Sequence, residues 1–306
     1  MKTKFIIPFL TIILFSNSIF SNDFSEKDPE KDPEKDRVII YVLKNILSRY
    51  HYVKKDLNDD FSEHVYNSFI NDLDPSKRYF TQKDLKEFSQ YKYLIDDQLR
   101  NSNVDFYKLV YDRFLTKLET AKTNYRSLLT ESFNYKKKEY LNVDYDKMPF
   151  AKNESELVDY WRKQLKLSII SRVESEEELQ NKKAKEDTKY KKKSFAILEV
   201  EARKEVLKNM NELYERIDEL EHTDWYSTFL NSVVSGFDPH TTYMSPRRKT
   251  RFDQEMSGKL EGIGARLQKK GIHTHIVELI SGGPAWKQGD LEPDDIILKV
   301  AQGDAE

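Results

Sequence analysis

Apolar side chains recur every three or four residues through most of the first three-quarters of the chain, as they do on one face of an α-helix. Such stripes predict amphipathic helices that pack around a shared core rather than a cofactor pocket. The clearest stripes are Ile39, Leu43, Ile46 and Tyr50; Phe61, Val65, Phe69 and Leu73; Phe106, Val110, Phe114 and Leu118; Leu157, Trp161, Leu165 and Ile169; and Met210, Leu213, Ile217 and Leu220.

Polar residues before these stripes predict where helices begin. Thr81 followed by Asp84 resembles a capping box, in which two side chains accept from the first backbone N–H groups of a helix. Asn153 is predicted to cap the helix that carries Trp161, and Thr223 the helix that ends at Gly236. We therefore expect well-bounded helices in this region.

One local pattern occurs twice. Asp74-Pro75 is followed by Tyr79, and Asp238-Pro239 is followed by Tyr243. Asp before Pro favours a turn, so each copy predicts a turn after a helix, with the Tyr buried against it. An acid/base pair of Asp238 and His240 is the chemical alternative, and it is disfavoured because the turn accounts for the Asp and no nucleophile is evident nearby.

Glycine separates two kinds of structure. All nine glycines lie at or after Gly236, so the preceding part of the chain contains none. Turn-rich β folds and phosphate-binding loops need glycine for positive φ angles. A mainly α fold is therefore predicted for the first part of the chain, with a differently built segment after it.

The N-terminus has the pattern of a secretory signal. A basic start is followed by the apolar stretch 5–15 and by small polar residues, which predicts a signal peptide at residues 1–21. An uncleaved membrane anchor is the alternative, although the apolar stretch is short for a membrane span. Residues 22–36 contain repeated Lys-Asp-Pro-Glu units and predict a charged, solvated linker, in which Pro29 and Pro33 break any helix.

Composition narrows the chemistry. The net charge of −2 excludes a generally basic nucleic-acid binder, so no nucleic-acid partner is expected. The absence of cysteine excludes disulfides, thiolate metal sites and a cysteine nucleophile. His273 and His275 share one face of a predicted strand but have no further ligand nearby, so surface positions are favoured, and no metal or cofactor is expected.

The glycine-bearing segment alternates turns with short elements. A short helix is predicted between Pro284 and Gly289, and a buried strand at 296–300 after a turn at 292–295. Gly262-Ile263-Gly264 is similar to the start of a dinucleotide fingerprint, but Leu267 stands where its third glycine belongs.

Three pieces of this segment resemble the first half of a PDZ domain of bacterial processing proteases: Gly262–Ala265, Gly282–Ala285 and Pro293–Val300. Asp294 stands where such domains usually have glycine, and Asp tolerates the left-handed conformation better than most residues. With the two Asp-Pro motifs upstream, the chain resembles the tail-specific protease (C-terminal processing peptidase) family over residues 37 to 306.

The resemblance implies a mainly α chain in which a multi-helix N-terminal domain is followed by a partial α+β PDZ domain. The helical domain is assigned to residues 37–250 and the incomplete PDZ domain to residues 255–306. Members of this family are exported serine endopeptidases that degrade or trim proteins from apolar C-termini. We therefore expect a periplasmic location, with membrane association only through an uncleaved signal.

By motif, the peptide carboxylate is expected at the backbone N–H groups of Gly262, Ile263, Gly264 and Ala265. Leu260 and Leu267 are expected to line the side-chain pocket, whose other wall normally comes from a later helix that this chain lacks. A plain glycine-rich turn is the alternative interpretation of this loop.

The family's catalytic pair, a Ser nucleophile with a Lys base, is expected beyond residue 306, so no catalytic residue is assigned within the chain. The expected partners are protein substrates, bound through their C-terminal tails, and an adaptor on the helical domain. The alternative function is that of a non-catalytic periplasmic PDZ adaptor or a helical chaperone.

Overall fold

The computed structural model describes residues 33–257, 262–270 and 273–300. The chain divides into two compact units, Met1–Tyr243 and Met244–Glu306. The described part is mainly helical, as predicted, with one small antiparallel sheet in the second unit. The predicted signal at residues 1–21 lies outside the described residues, and within them no helix is long and apolar enough to cross a membrane.

The described part of the first unit is built from helices joined by turns and one extended segment between residues 129 and 153. The α-helices are α1 Pro33–Tyr50, α2 Asp59–Leu73, α3 Gln82–Phe88, α4 Ile95–Arg100, α5 Asp105–Leu128, α6 Glu154–Glu186, α7 Phe195–Asp218 and α8 His222–Ser235, with a 3₁₀ turn at Ser89–Tyr91.

Aromatic side chains fill the centre of this unit, where α2, α5 and α8 meet. Phe69 of α2 packs edge-on against Phe106 of α5 and Phe229 of α8. Tyr107 of α5 lies against both Phe69 and Phe229. The predicted stripes on α2, on α5 and at the start of α6 are buried, as expected for a helical core.

Two of the predicted stripes are wrong in detail. On α1 the side chains of Ile46 and Tyr50 are exposed, because the buried face is turned to Ile40 and Leu47 instead. The stripe from Met210 to Leu220 lies at the edge of the core and is at most partly buried. Periodicity alone leaves the choice of face open when both faces of a helix carry apolar residues.

The capping predictions are confirmed at two helices and wrong at a third. Thr81 and Asp84 form the capping box of α3, and Asn153 accepts from the N–H of Glu156 at the start of α6. The helix predicted to begin after Thr223 instead begins at His222, because Glu221 and Asp224 form its capping box.

The predicted linker at 22–36 is also wrong in its last four residues. Residues 33–36 already belong to α1, because proline is tolerated in the first turn of a helix, where its missing N–H has no helical partner. The Asp36 carboxylate is buried and lies 2.8 Å from Nε2 of His222. The Tyr226 hydroxyl donates to the carbonyl of Asp36 at 2.7 Å, so α1 is tied to α8.

The described part of the second unit contains α9 Pro246–Ser257, β1 Ala265–Lys270, β2 His273–Leu279, α10 Pro284–Gln288 and β3 Ile296–Ile297. The strands form an antiparallel sheet in the order β1-β2-β3. The boundary predicted between residues 250 and 255 falls within α9.

The predicted turns of this unit are confirmed. Gly289 ends α10 with a φ of +79°, and Asp294 adopts a φ of +74° at the position where glycine was expected. The buried strand predicted at 296–300 is wrong, because pairing with β2 involves Ile296 and Ile297 alone and the side chains of Leu298 and Val300 are 79% and 86% exposed. No described element covers these two side chains, so they remain exposed although they are apolar.

Candidate peptide-binding loop

The loop at residues 262–265 leads directly into β1, which lies at the edge of the described sheet. It contains all four residues predicted to bind a carboxylate: Gly262, Ile263, Gly264 and Ala265. Its position is set by the hairpin of β1 and β2, in which Ala265 faces Leu279.

Two glycines allow this loop to pack against the turn before α10. Gly264 has a φ of +75°, and a Cβ placed on it would lie 2.9 Å from Cδ of Pro284 and 3.0 Å from the Cα of Gly283. A Cβ on Gly283 would lie 2.9 Å from the carbonyl oxygen of Ile280 and 3.1 Å from the Cα of Gly264. A Cβ at either position would therefore approach one atom to 2.9 Å, so glycine at both positions is a packing requirement.

Backbone hydrogen bonds orient the loop. Ala285 donates its N–H to the carbonyl of Ile263 and Ile280 donates to the carbonyl of Gly264, each at 2.8 Å. These bonds fix the carbonyls of Ile263 and Gly264. Among the described residues, no backbone oxygen accepts from the N–H groups of Gly262, Ile263 or Gly264.

Apolar side chains flank the loop. The side chains of Ile263 and Leu267 are 47% and 45% exposed, so both are accessible beside β1. Leu260, the other predicted pocket residue, lies outside the described residues. Arg266 pairs with Glu278 across the hairpin at 3.1 Å, which balances its charge beside the loop.

Sequence reasoning did not identify the residues that hold the loop in place. Gly283, Pro284 and Ile280 pack against it or bond to it, although none was predicted as a site residue. The signal was the Gly-Gly-Pro run, which indicated a turn without showing what the turn packs against.

The two Asp-Pro motifs have different surroundings. The buried Asp74 carboxylate accepts from the N–H groups of Arg78, Tyr79 and Phe80 at 2.6, 2.9 and 2.9 Å, and burial raises its pKa above the ordinary value. Among the described residues, Asp238 accepts a single backbone N–H, that of His240 at 2.7 Å, in a turn where its side chain is only partly buried. Both carboxylates therefore stabilise the turn that follows them by accepting from its backbone N–H groups.

The predicted tyrosines also differ. The Tyr79 hydroxyl accepts from that of Tyr214 at 3.4 Å, and its ring packs edge-on against Phe114. Tyr243 is only partly buried, and its N–H donates to the side chain of Asn231 at 2.8 Å.

The chain is similar to proteins of known family. The model of the tail-specific protease N-terminal domain matches residues 42–247. The tail-specific protease of Haemophilus influenzae is 28% identical over 263 residues, which cover 85% of this chain and 35% of that protein. The carboxy-terminal processing protease CtpA of Bacillus subtilis is 36% identical over 98 residues, which cover 30% of this chain and 21% of the relative.

A probable CtpA-like serine protease of Staphylococcus saprophyticus is 31% identical over 100 residues, or 31% of this chain and 20% of the relative. The fold defines a helical domain followed by a small sheet module with a glycine-lined loop. The domain match extends over more than half of the chain, and the chain therefore belongs to the tail-specific protease family. It spans about a third of the length of the Haemophilus relative.

Proposed function

We propose that this chain is the substrate-recruiting N-terminal part of an exported serine endopeptidase that degrades or trims proteins from apolar C-termini. The observation that supports the proposal most directly is the loop at 262–265, with its N–H groups beside the edge strand β1. In this proposal the second unit is a PDZ module, and the loop binds the C-terminal carboxylate of the substrate.

The chemistry of the loop suits an anion. Successive backbone N–H groups near a residue with positive φ form a concave cluster of partial positive charge that favours a carboxylate. A substrate tail adding to the edge of β1 would gain main-chain hydrogen bonds along the strand, as in β-strand addition. The exposed side chains of Ile263 and Leu267 would then contact the last apolar residues of the tail.

Peptide hydrolysis in this proposal belongs to a Ser/Lys pair encoded beyond residue 306. A lysine whose amine is kept neutral by burial can accept the serine proton, which activates the nucleophile. We expect the 306-residue chain alone to leave peptides uncleaved. Serine-dependent hydrolysis by the purified chain would contradict this assignment.

Export is part of the same proposal. The apolar stretch at residues 5–15 would direct the chain through a membrane, with cleavage near residue 21. Sequencing the N-terminus of the mature protein from a periplasmic extract tests this directly. A mature protein that begins at Met1 in the cytoplasm would contradict it.

The binding proposal is tested with one apolar-ended peptide made as the free acid and as the amide. Fluorescence anisotropy with the full chain should show binding of the acid and a loss of at least tenfold for the amide, because the amide lacks the charge that the N–H groups stabilise. Equal binding of the two peptides would refute the carboxylate role.

Two glycine substitutions provide a matched pair for this assay. Gly264 and Gly282 both have positive φ, but a Cβ on Gly282 meets nothing within 4 Å. Gly264→Ala should abolish binding of the acid peptide, whereas Gly282→Ala adds the same backbone strain without the clash and should keep it. Loss of binding in both variants would mean that strain, and not the packing of the loop, controls the site.

A further inference from the structure

A groove on the first unit lies between α6 and the extended segment that precedes it. It has a volume of about 550 Å³ and is lined by Tyr135, by residues 137–141 and by side chains of α6. Both walls belong to the helical unit, so this groove is separate from the proposed carboxylate loop in its chemistry and in its residues.

A buried ion cluster holds the segment on the helix. The Glu139 carboxylate lies 2.8 Å from Nζ of Lys166 and 2.5 Å from the guanidinium of Arg162. The hydrogen bonds from Arg162 and Lys166 hold the pKa of Glu139 well below its usual range. Lys166 also donates to the carbonyl of Asn134 at 2.7 Å, so the segment is attached to α6 at two points.

Beyond this ion cluster of Glu139, Arg162 and Lys166, the groove has an excess of positive charge. Its four lining lysines, Lys137, Lys138, Lys163 and Lys166, and the adjacent Arg162 face the carboxylates of Glu139 and Asp159, so the local net charge is +3. Lys137 and Lys166 pair with Glu139 and Lys163 pairs with Asp159, whereas Lys138 forms no ion pair with any described residue. This local charge contrasts with the net charge of −2 of the whole chain.

Apolar side chains line the rest of the groove. Leu141, Leu167 and Ile170 contribute aliphatic surface, and Leu167 is 46% exposed although it lies in the middle of a helix. Tyr140 follows the ion-paired Glu139 in sequence, and its side chain is 94% exposed. Exposed aromatic and aliphatic residues inside a charged rim are typical of protein interaction sites.

We propose that this groove docks an acidic polypeptide segment that carries apolar side chains. Lys138 would pair with a carboxylate of the segment, the excess positive charge around it would attract the others, and the aliphatic wall would cover the apolar residues of the segment. Charge complementarity selects an anionic occupant. A polypeptide is favoured over a lipid surface because the apolar residues line a concavity, whereas a membrane-binding helix presents them on a projecting face.

The test uses a short fluorescent peptide in which Glu alternates with Leu, acetylated and amidated so that it has no terminal carboxylate. Because this peptide has no terminal carboxylate, it does not test the proposed carboxylate loop. A negative result for one site therefore does not contradict the proposal for the other. The full chain should bind the peptide in low salt and more weakly at high salt. A matched peptide with Gln in place of Glu should bind at least tenfold more weakly.

A pair of charge-reversal variants localises the binding. Lys138→Glu alters the exposed rim and leaves Lys137, Lys166 and Arg162 on Glu139. Lys108→Glu makes the same change in net charge at an exposed helix position outside the groove. The rim variant should bind the Glu peptide at least about fivefold more weakly, and the remote variant as the unchanged chain does.

Three results would overturn the proposal. These are equal binding of the Glu and Gln peptides, equal weakening by the two variants, and absence of binding to the Glu peptide in low salt. Sedimentation of the chain with phosphatidylglycerol vesicles but not with phosphatidylcholine vesicles, lost in the rim variant, would assign the groove to lipid instead. Circular dichroism confirms that each variant remains folded.

Discussion

The Asp74 carboxylate offers the sharpest test of how the helical unit is held together. It is 1% exposed and accepts three backbone N–H groups of the segment that follows α2. Asp74→Ala removes the acceptor for all three groups at once. One of them belongs to Phe80, whose side chain is fully buried, so water has little access to replace the lost bond.

The expected cost comes from two opposing terms. A buried N–H left without an acceptor costs about 1–3 kcal/mol, and three such groups would cost about 3–9 kcal/mol. Removing the charge relieves an opposing penalty, because burial raises the pKa of Asp74 and thus disfavours its ionised form. We expect a net loss of about 3–5 kcal/mol for Asp74→Ala, and about 1–2 kcal/mol for Asp74→Asn, whose single oxygen keeps part of the network.

Urea denaturation followed by helical circular dichroism measures these losses as a free energy of unfolding. Asp238→Ala is the matched control, since it removes the same residue from the same Asp-Pro motif. Asp238 accepts one N–H and its side chain is only partly buried, so this change should cost less than about 1 kcal/mol. Equal losses for Asp74→Ala and Asp238→Ala would refute the argument that the buried network makes the difference.

Three other changes test separate parts of the structure. Glu139 has a lowered pKa because Arg162 hydrogen-bonds to its charged form, so its stabilising contribution is complete above the unfolded pKa near ~4.3 and is lost as the pH falls further. Glu139→Gln should therefore flatten the decline in unfolding free energy below about pH 5, and an unchanged pH profile would contradict it. Asp36→Ala should cost about 2–4 kcal/mol because it leaves Nε2 of the buried His222 ring without a partner, although Nδ1 keeps the Tyr107 hydroxyl. Hydrogen exchange should show faster opening of α1, and unchanged exchange would contradict the role of this contact. Asp294→Gly should remove roughly 1 kcal/mol of left-handed strain and raise the thermal midpoint of the second unit, whereas Asp294→Val should lower it.

Local chemistry explains what could be predicted from the sequence. The caps at Thr81 and Asn153 depend on side chains that bond to N–H groups within three residues, so the neighbouring residues are enough to predict them. The positive φ at Asp294 and Gly289 likewise follows from local turn preferences. The grouping of residues 262–265 in one loop follows from the same kind of pattern.

Contacts between distant residues account for the errors. The start of α8 is the exception, because it depends on a local choice between two possible caps, in which Glu221 with Asp224 prevails over Thr223. Residues 33–36 joined α1, where Asp36 meets a histidine far along the chain. The exposure of Leu298 depends on what covers it and not on its own hydrophobicity. The last two outcomes depend on the positions of distant groups, which sequence spacing does not specify.

The sequence by itself determined the helical character of the first unit, the turns of the second and the glycines at the candidate loop, because backbone preferences and periodicity act over a few residues. Only the tertiary structure distinguished Asp74 from Asp238, since two identical Asp-Pro motifs differ in the number of N–H groups that the fold brings to each carboxylate. It also placed Gly283 against Gly264 and assembled the basic groove beside α6, because these surfaces form where separate parts of the chain pack together.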